Sequence, residues 1–455
     1  MPKDKRIGRR SLLKSSATGL AAATALQTIA HSGCAGKTEQ VAVGPKTGRR
    51  PDYADRLTLG LIGCGDLGVR HHLRRYLAPE KEKFGFDVVA VCDVDRNHRD
   101  EAAQVVLDHT GRRVRSYHDY RDLLDRQDID AVVIVVPDHW HALVSIAAME
   151  AGKDVYCEKP LTLTIEEGRA MVSAARRYGA VFQTGSMQRS DLRFRKACEL
   201  VRNNKIGTIH KVETYIGGID AGEWQLPQTP PAELDWDFWL GPAPYADFSP
   251  NRCHYQFRWY QDYSGGKMTD WGAHHNDIAQ WGLGTDDTGP AEVQGEGVFD
   301  PTGPHDVARR FEVRYKYASG VELICSSEGK GGYDNGVKFY GSDGWIFVNR
   351  GKIEASDLNV LRMELGSDDL RLYNTGESKD NWINHYRNWI DCIKTRQRCI
   401  CDVEVGHRSA TVCHLGNIAM RLGRPLKWDP VKEQCVDDAV ANMLVGRPMR
   451  APWHL

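Results

Sequence analysis

Residues 57–64 read Leu-Thr-Leu-Gly-Leu-Ile-Gly-Cys, an apolar run of the length and composition of a buried parallel strand. The run passes directly into Gly63-Cys64-Gly65-Asp66-Leu67-Gly68, a G-x-G-x-x-G with helix-compatible sequence over 69–77. Gly63 permits the tight turn, Gly65 lets the backbone approach a pyrophosphate, and Gly68 allows close helix–strand packing; the helix N-terminus then offers free N–H groups to phosphate. Such a motif alone is weak, so its context decides. A second strand over 86–92 ends at Asp93, 25 residues beyond Gly68, where an acidic residue is expected to take ribose hydroxyls. The other reading of Asp93 is a strand-ending cap for the next helix. A carboxylate at this place favours NAD, because it repels a 2′-phosphate; Arg96, three residues on, leaves NADP open. A third strand over 131–136 ends in Pro137, with helical segments expected over 97–109, 120–127 and 142–151. A fourth strand over 154–157 leads into Glu158-Lys159-Pro160. This β-α-β-α rhythm predicts a doubly wound parallel sheet of the Rossmann type.

The chain of 455 residues is too long for one ordinary core and implies two domains. Its net charge of -1 excludes a nucleic-acid partner held by bulk charge. Beyond the N-terminus, no apolar stretch of ~20 residues is present to serve as a transmembrane domain. The first fifty residues differ from the rest. Basic residues precede Arg9-Arg10-Ser11-Leu12-Leu13-Lys14, and a small, mildly apolar run follows over 17–30. The pattern is that of a twin-arginine export signal over 1–35, against the plainer reading of a basic tail, and predicts periplasmic or exported location. Cys34 after Ser32-Gly33 only faintly matches a lipoprotein site, since His31 stands where an aliphatic residue belongs. Residues 36–55 read as a linker. Twelve cysteines in an exported chain leave disulfides open, but Cys64, Cys92 and Cys157 lie in or beside strand-like runs and read as small core residues. No C-x-x-C pair suggests structural zinc.

Three blocks together resemble the Gfo/Idh/MocA oxidoreductase family (glucose–fructose oxidoreductase and inositol dehydrogenase type). They are Gly63–Gly68; the run Val136-Pro137-Asp138-His139-Trp140-His141 with Ala151 to Leu161, which holds Glu158-Lys159-Pro160; and Gly265-Gly266-Lys267-Met268-Thr269-Asp270-Trp271-Gly272-Ala273-His274-His275-Asn276-Asp277. The resemblance spans about residues 57–430. It implies a Rossmann domain over 56–184 and a C-terminal α+β domain over 185–430 built on a large, mostly antiparallel sheet. Strand-like pieces over 210–215, 291–299, 310–317 and 321–326, and a hairpin about 341–344, agree with it. It also implies subunit contacts through the free face of that sheet, as a homodimer or homotetramer. Helices are expected over 382–394 and 403–422, then a helix and arm over 431–455, lying on a neighbouring subunit.

The implied activity is NAD(P)-dependent oxidation of a CH–OH group of a sugar, polyol or glycoside. Hydride loss from a carbinol needs a base for the hydroxyl proton and a donor for the developing oxyanion. The resemblance gives Lys159 the place beside substrate and nicotinamide, His274 the proton transfer, and Asp270 substrate binding and tuning. Asp270 and His274, four apart, share a face if one helix carries them. Asp277 continues that face, as substrate contact or helix support; His275 reads as packing. Glu158 either orients Lys159 and the cofactor or forms a plain ion pair. Asp66, Leu67, Pro137 and His141 are expected along the cofactor, His141 otherwise as a packing residue. Gln188-Arg189 is expected at cofactor or substrate. Trp140, Trp271 and Tyr263 read as sugar-stacking rings or as core, and the element over 236–242 as structural. Asp270, His274 and Asp277 also have metal-ligand spacing, but the family pattern accounts for them without metal. Free NAD is scarce outside the cytoplasm, so export implies a retained cofactor. Regeneration within the site then fits sugar–sugar oxidoreduction, or transient oxidation with elimination, as an NAD-dependent glycosidase. A non-enzymatic sugar-binding protein is the alternative from another class.

Overall fold

The computed structural model describes residues 56–77 and 85–455. The expected export signal, the linker and Cys34 lie outside them. Strands β1 (Leu57–Ile62), β2 (Phe86–Cys92), β3 (Arg115–Tyr117), β4 (Ala131–Ile134), β5 (Asp154–Cys157) and β6 (Phe182–Thr184) form one sheet. Their order is β3-β2-β1-β4-β5-β6, and every pair is parallel. Side chains of β1 and β4 such as Leu59, Leu61, Val132 and Val133 are fully buried, as strands covered on both faces require. The order reverses between β1 and β4, so a crevice opens at their carboxyl ends. Helices Arg96–Thr110 and Ile165–Tyr178 start on side-chain caps, Asp95 and Thr164, and stop at left-handed Gly111 and Gly179.

Nine further strands form the second sheet: β7 (Ile209–Tyr215), β8 (Glu292–Val298), β9 (Arg310–Lys316), β10 (Glu322–Ser326), β11 (Gly336–Gly341), β12 (Gly344–Val348), β13 (Ile353–Ala355), β14 (Leu426–Asp429) and β15 (Gln434–Cys435). Their order is β13-β12-β11-β7-β10-β9-β8-β14-β15, antiparallel except for β7 with β10. Alternation decides which face is buried. On β9, Phe311, Val313 and Tyr315 point inward while Arg310, Arg314 and Lys316 are exposed. Helices Leu192–Arg202, Gly272–Leu283 and Val403–Leu422 bury that inner face, with Phe194, Ile278, Trp281, Val412 and Leu415 in one core with Tyr315, Leu323 and Phe339.

The expected domain boundaries are crossed by later segments. Helix Asn381–Thr395 returns to the first sheet, burying Tyr386, Trp389 and Ile393 in one cluster with Leu57, Val133 and Tyr156. Over 431–455 the chain forms β15 and a short helix, Ala439–Asn442, and then the arm. The arm lies on its own chain: Trp453 stacks on Phe238 at 5.8 Å and meets Trp140 edge-on at 4.8 Å. Arg450 donates to the Gly241 carbonyl at 2.9 Å. Within its own chain the ring of Trp453 is thus covered by Phe238 and Trp140.

The eleven cysteines among the described residues are all buried and unpaired. No helix among them is long and apolar enough to cross a membrane.

Candidate active site

The crevice between β1 and β4 is lined by Gly63, Gly65, Asp66, Leu67, Gly68, Asp93, Pro137, Glu158 and Lys159. Gly63 has φ +92°, and a Cβ there would lie 2.4 Å from the Val135 carbonyl oxygen. A Cβ on Gly68 would lie 2.2 Å from the Gly63 oxygen, whereas one on Gly65 meets nothing within 4 Å. Two glycines thus make the turn and the third leaves an open cradle. The helix Leu67–Leu77 begins here with no acidic residue in its first turn, so its free N–H groups face the cradle unopposed. Asp66 forms only an exposed pair with Arg70 at 2.9 Å. Asp93 does not cap the following helix: Asp95 does, accepting from Asn97 N at 2.8 Å. Instead the Asp93 carboxylate accepts Cys64 N at 2.6 Å and Asp95 N at 2.8 Å, which fixes it against the glycine loop. Burial raises its pKa, and His98, the two amides and His254 act in the opposite sense. An open cradle beneath free amides, with a fixed carboxylate at the next strand end, fits a dinucleotide.

The chemical end lies past β5. Lys159 Nζ donates to Asp270 Oδ1 at 2.7 Å and to the Asp270 carbonyl at 3.1 Å. Arg258 Nε stands 3.9 Å from the same carboxylate oxygen. Burial opposes the charge on Asp270, but Lys159 and Arg258 outweigh it and hold the carboxyl below its usual range. The single helix expected to carry Asp270 and His274 is two: Asp270 ends the turn Gly266–Asp270 and His274 lies in the first turn of Gly272–Leu283. The break falls at Trp271, whose carbonyl accepts from both His274 N and His275 N at 3.0 and 3.1 Å. His274 is 5% exposed, and its Nδ1 is buried with no hydrogen-bond partner among the described residues. Burial, then the charges of Lys159 and Arg350, push its pKa well down, so the ring is neutral with a nitrogen open to a proton. Glu158 Oε1 lies 3.1 Å from His72 Nε2, and Glu158 Oε2 accepts Lys159 N at 3.1 Å. Burial works against its ionisation, yet His72 and Lys159 hold the carboxyl low. Glu158 therefore fixes the backbone from which Lys159 projects.

Several expected site residues stand elsewhere. Arg189 is 1% exposed and donates to both Asp277 oxygens at 2.8–3.0 Å and to Asp286 at 2.8 Å. It reaches no open space, and Asp277 is spent on it and on Ser409, so the metal spacing over 270–277 assembles no trio. Gln188 is fully buried and donates to the His274 carbonyl at 3.1 Å, behind the site and not in the cleft. His141 is buried with its ring nitrogens 2.8 and 2.9 Å from the Pro160 and Val136 carbonyls, tying the strand ends that carry Lys159 and Pro137. Burial lowers its pKa, but Cys157, Asp138 and the Pro160 carbonyl raise it to about 10. His275 bonds Asn335 and Gln188. Tyr263 is core; Trp140 is mostly buried yet touches the cleft wall, and Trp271 is partly exposed. Sequence reading missed Arg258, Lys267 and Arg350 near Asp270, and His72 behind Glu158. Each is one polar residue in an otherwise unmarked segment. It also missed Asp95, His98 and His254, whose ligand-type atoms lie within 4.8 Å of one another beside Asp93.

Residues 57–186 match the family model described as "Oxidoreductase family, NAD-binding Rossmann fold". Residues 218–455 match the model described as "Oxidoreductase family, C-terminal alpha/beta domain". The chain is 32% identical over 190 residues to inositol 2-dehydrogenase of Salmonella typhimurium (strain LT2), covering 40% of this chain and 54% of that enzyme. It thus spans about half the length of that relative. It is 38% identical over 175 residues to glycosyl hydrolase family 109 protein 2 of Shewanella sp. (strain ANA-3), covering 37% of this chain and 36% of that one. The structure of aldose-aldose oxidoreductase from Caulobacter crescentus, complexed with glycerol, superposes with a TM-score of 0.60 at 20% identity, over 82% of this chain and 99% of that one. With both of its halves matched in sequence, over residues 57–186 and 218–455, the chain is a member of the Gfo/Idh/MocA oxidoreductase family, with an NAD-binding Rossmann domain.

Proposed function

We propose that the protein oxidises a CH–OH group of a sugar, polyol or glycoside with NAD that it retains between turnovers. The observation that carries this is the Lys159–Asp270 pair at 2.7 Å, with Lys159 on the wall of the dinucleotide crevice and acting on a buried, neutral His274 whose Nδ1 has no hydrogen-bond partner among the described residues. Bound NAD supplies the hydride acceptor. Lys159 donates to the substrate oxygen and stabilises it as it gains negative charge. His274 accepts the hydroxyl proton, and the nearby cations make the resulting imidazolium acidic enough to pass it on. Asp270 holds Lys159 in place. Gly65 and Asp93 hold the pyrophosphate and ribose, and the carboxylate favours NAD over NADP. The redox-neutral variant, a glycosidase using transient oxidation, is favoured by one observation, the likeness to the family 109 glycosyl hydrolase protein. Export through the twin-arginine residues Arg9 and Arg10 and a homodimer or homotetramer formed on the outer face of the nine-stranded sheet complete the reading.

The test is to purify the protein without added cofactor, denature it, and identify any released nucleotide by mass spectrometry. Stoichiometric NAD(H), with turnover of sugars or glycosides, is expected. An empty protein that binds added NAD weakly refutes retention.

A further inference from the structure

The charges around Asp270 do not balance. Lys159, Arg258, Lys267 and Arg350 all act on this one carboxylate. Of the neighbouring acids, Glu158 lies against His72 and the Lys159 amide and Asp191 pairs with Arg193 at 2.8 Å, both also acting on Arg350, while Asp138, whose charge burial disfavours, acts on Arg258 and Lys159; none of them pairs with Lys267 or Arg350. His274 is neutral. Two of the cations flank one ring. Lys267 Nζ stands 5.8 Å from the centre of the Trp271 indole and Arg350 Cζ stands 4.6 Å from it. Neither makes an ion pair among the described residues. Arg350 gives its Nε to Gln188 Oε1 at 3.0 Å, and its two terminal nitrogens donate to nothing described. Burial lowers the Lys267 pKa, Asp270 raises it and Lys159 lowers it, a net loss that a bound anion would reverse.

Like charges gathered in one site repel one another, and a bound anion relieves that repulsion. The cofactor's pyrophosphate has its own cradle at Gly63–Gly68 and does not answer this charge. Neutral sugars call for acceptors as well as donors, because each hydroxyl also donates. Here Lys267 and Arg350 offer donors alone, beside a partly exposed indole suited to a sugar face.

We infer that the substrate is an anionic sugar, whose carboxylate, sulfate or phosphate group is held by Lys267 and Arg350 across Trp271. This rests on the oxidoreductase reading and specifies its substrate class.

The test uses the full chain with NAD and matched sets: glucose, glucuronate, glucose 6-sulfate and glucose 6-phosphate, and galactose with galacturonate. Single-turnover reduction of the retained cofactor, followed against sugar concentration, gives the apparent kcat/KM and KM of the oxidation step, and tryptophan fluorescence gives sugar binding. The expected result is a preference for one class of acid over its neutral parent of about tenfold or more, the scale of one charge-assisted hydrogen bond. Which acid is preferred distinguishes carboxylate from sulfate and phosphate. KM for the acid rises with added salt while that of the neutral sugar does not. Lys267→Met and Arg350→Gln each reduce the acid-to-neutral ratio by about tenfold. The salt dependence needs no variant, so misfolding of either one leaves the inference testable. Neutral sugars oxidised as well as their acids, with salt-independent KM, overturn the inference and leave the oxidoreductase reading standing. Retained NAD with no binding or turnover of any sugar overturns both.

Discussion

Replacing Arg189 by Met decides between a ligand contact and an internal staple. Arg189 and Asp277 are 1% and 0% exposed, and the guanidinium makes a bidentate pair with a carboxylate whose other support is the Ser409 hydroxyl at 2.6 Å. Removing the cation leaves a charge with no water to turn to. Breaking such a pair costs about 3–5 kcal/mol, a large fraction of the roughly 5–15 kcal/mol that holds a folded domain together. At about 2 °C per kcal/mol for a large domain, the melting point drops by roughly 6–10 °C. The double variant Arg189→Met/Asp277→Leu removes both charges and recovers most of that loss, since a buried pair exchanged for apolar groups is near neutral. Asp277 lies one turn beyond His274 on the same helix, so the single variant also lowers kcat. Chemical denaturation of the wild type, Arg189→Met, Asp277→Leu and the double variant gives the coupling energy. A single variant that melts within about 2 °C of wild type but binds NAD or sugar more than about tenfold more weakly refutes the staple and restores the ligand contact.

Lys159→Met lowers kcat/KM by about 10²–10³-fold, the scale of one lost oxyanion donor, while NAD binding by fluorescence titration stays close to wild type. Gly65→Ala leaves the melting point unchanged, because its Cβ meets nothing within 4 Å, but weakens NAD binding by about tenfold or more. Gly68→Ala, in contact with the Gly63 oxygen, lowers the melting point instead. His275, His385 and His414 are held neutral by burial, each with a pKa pushed down to about 4. Unfolding lets each one bind a proton below its ordinary pKa of about 6.5, so their contribution to stability is flat above pH 7 and falls from there towards pH 4, by up to about 1.4 kcal/mol per pH unit per histidine. His141 acts with the opposite sign, giving up its contribution as the pH rises towards about 10. Melting curves across this range check both slopes; a flat acid limb refutes the neutral histidines.

Strands β1, β2, β4 and β5 were legible because burial leaves continuous apolar runs, and the glycine loop because its geometry admits little else, whereas β3, Arg-Ser-Tyr and largely exposed, has no such run. Lys159, Asp270 and His274 were legible through motif resemblance, and the structure brings them together. The break at Trp271 was not, since residues 266–283 keep a helix-compatible pattern across it. The pairing of Arg189 was not legible because its anions, Asp277 and Asp286, lie about 90 residues away. Asp93 and Asp95, two residues apart, share residue type, and only the amide each one accepts tells the ribose-side acid from the cap. Arg258, Lys267 and Arg350 meet only in three dimensions.

The return of helix Asn381–Thr395 to the first sheet bears on how the chain is made. β6 closes the parallel sheet at Thr184, yet Tyr386 and Trp389, which cover it, follow about 200 residues later. At ribosomal speeds of about 5–20 residues per second, the emerging nucleotide half waits roughly 10–40 s with that apolar surface bare. The two halves therefore mature together once synthesis has passed Trp389, and until then the nascent chain is a client for chaperones.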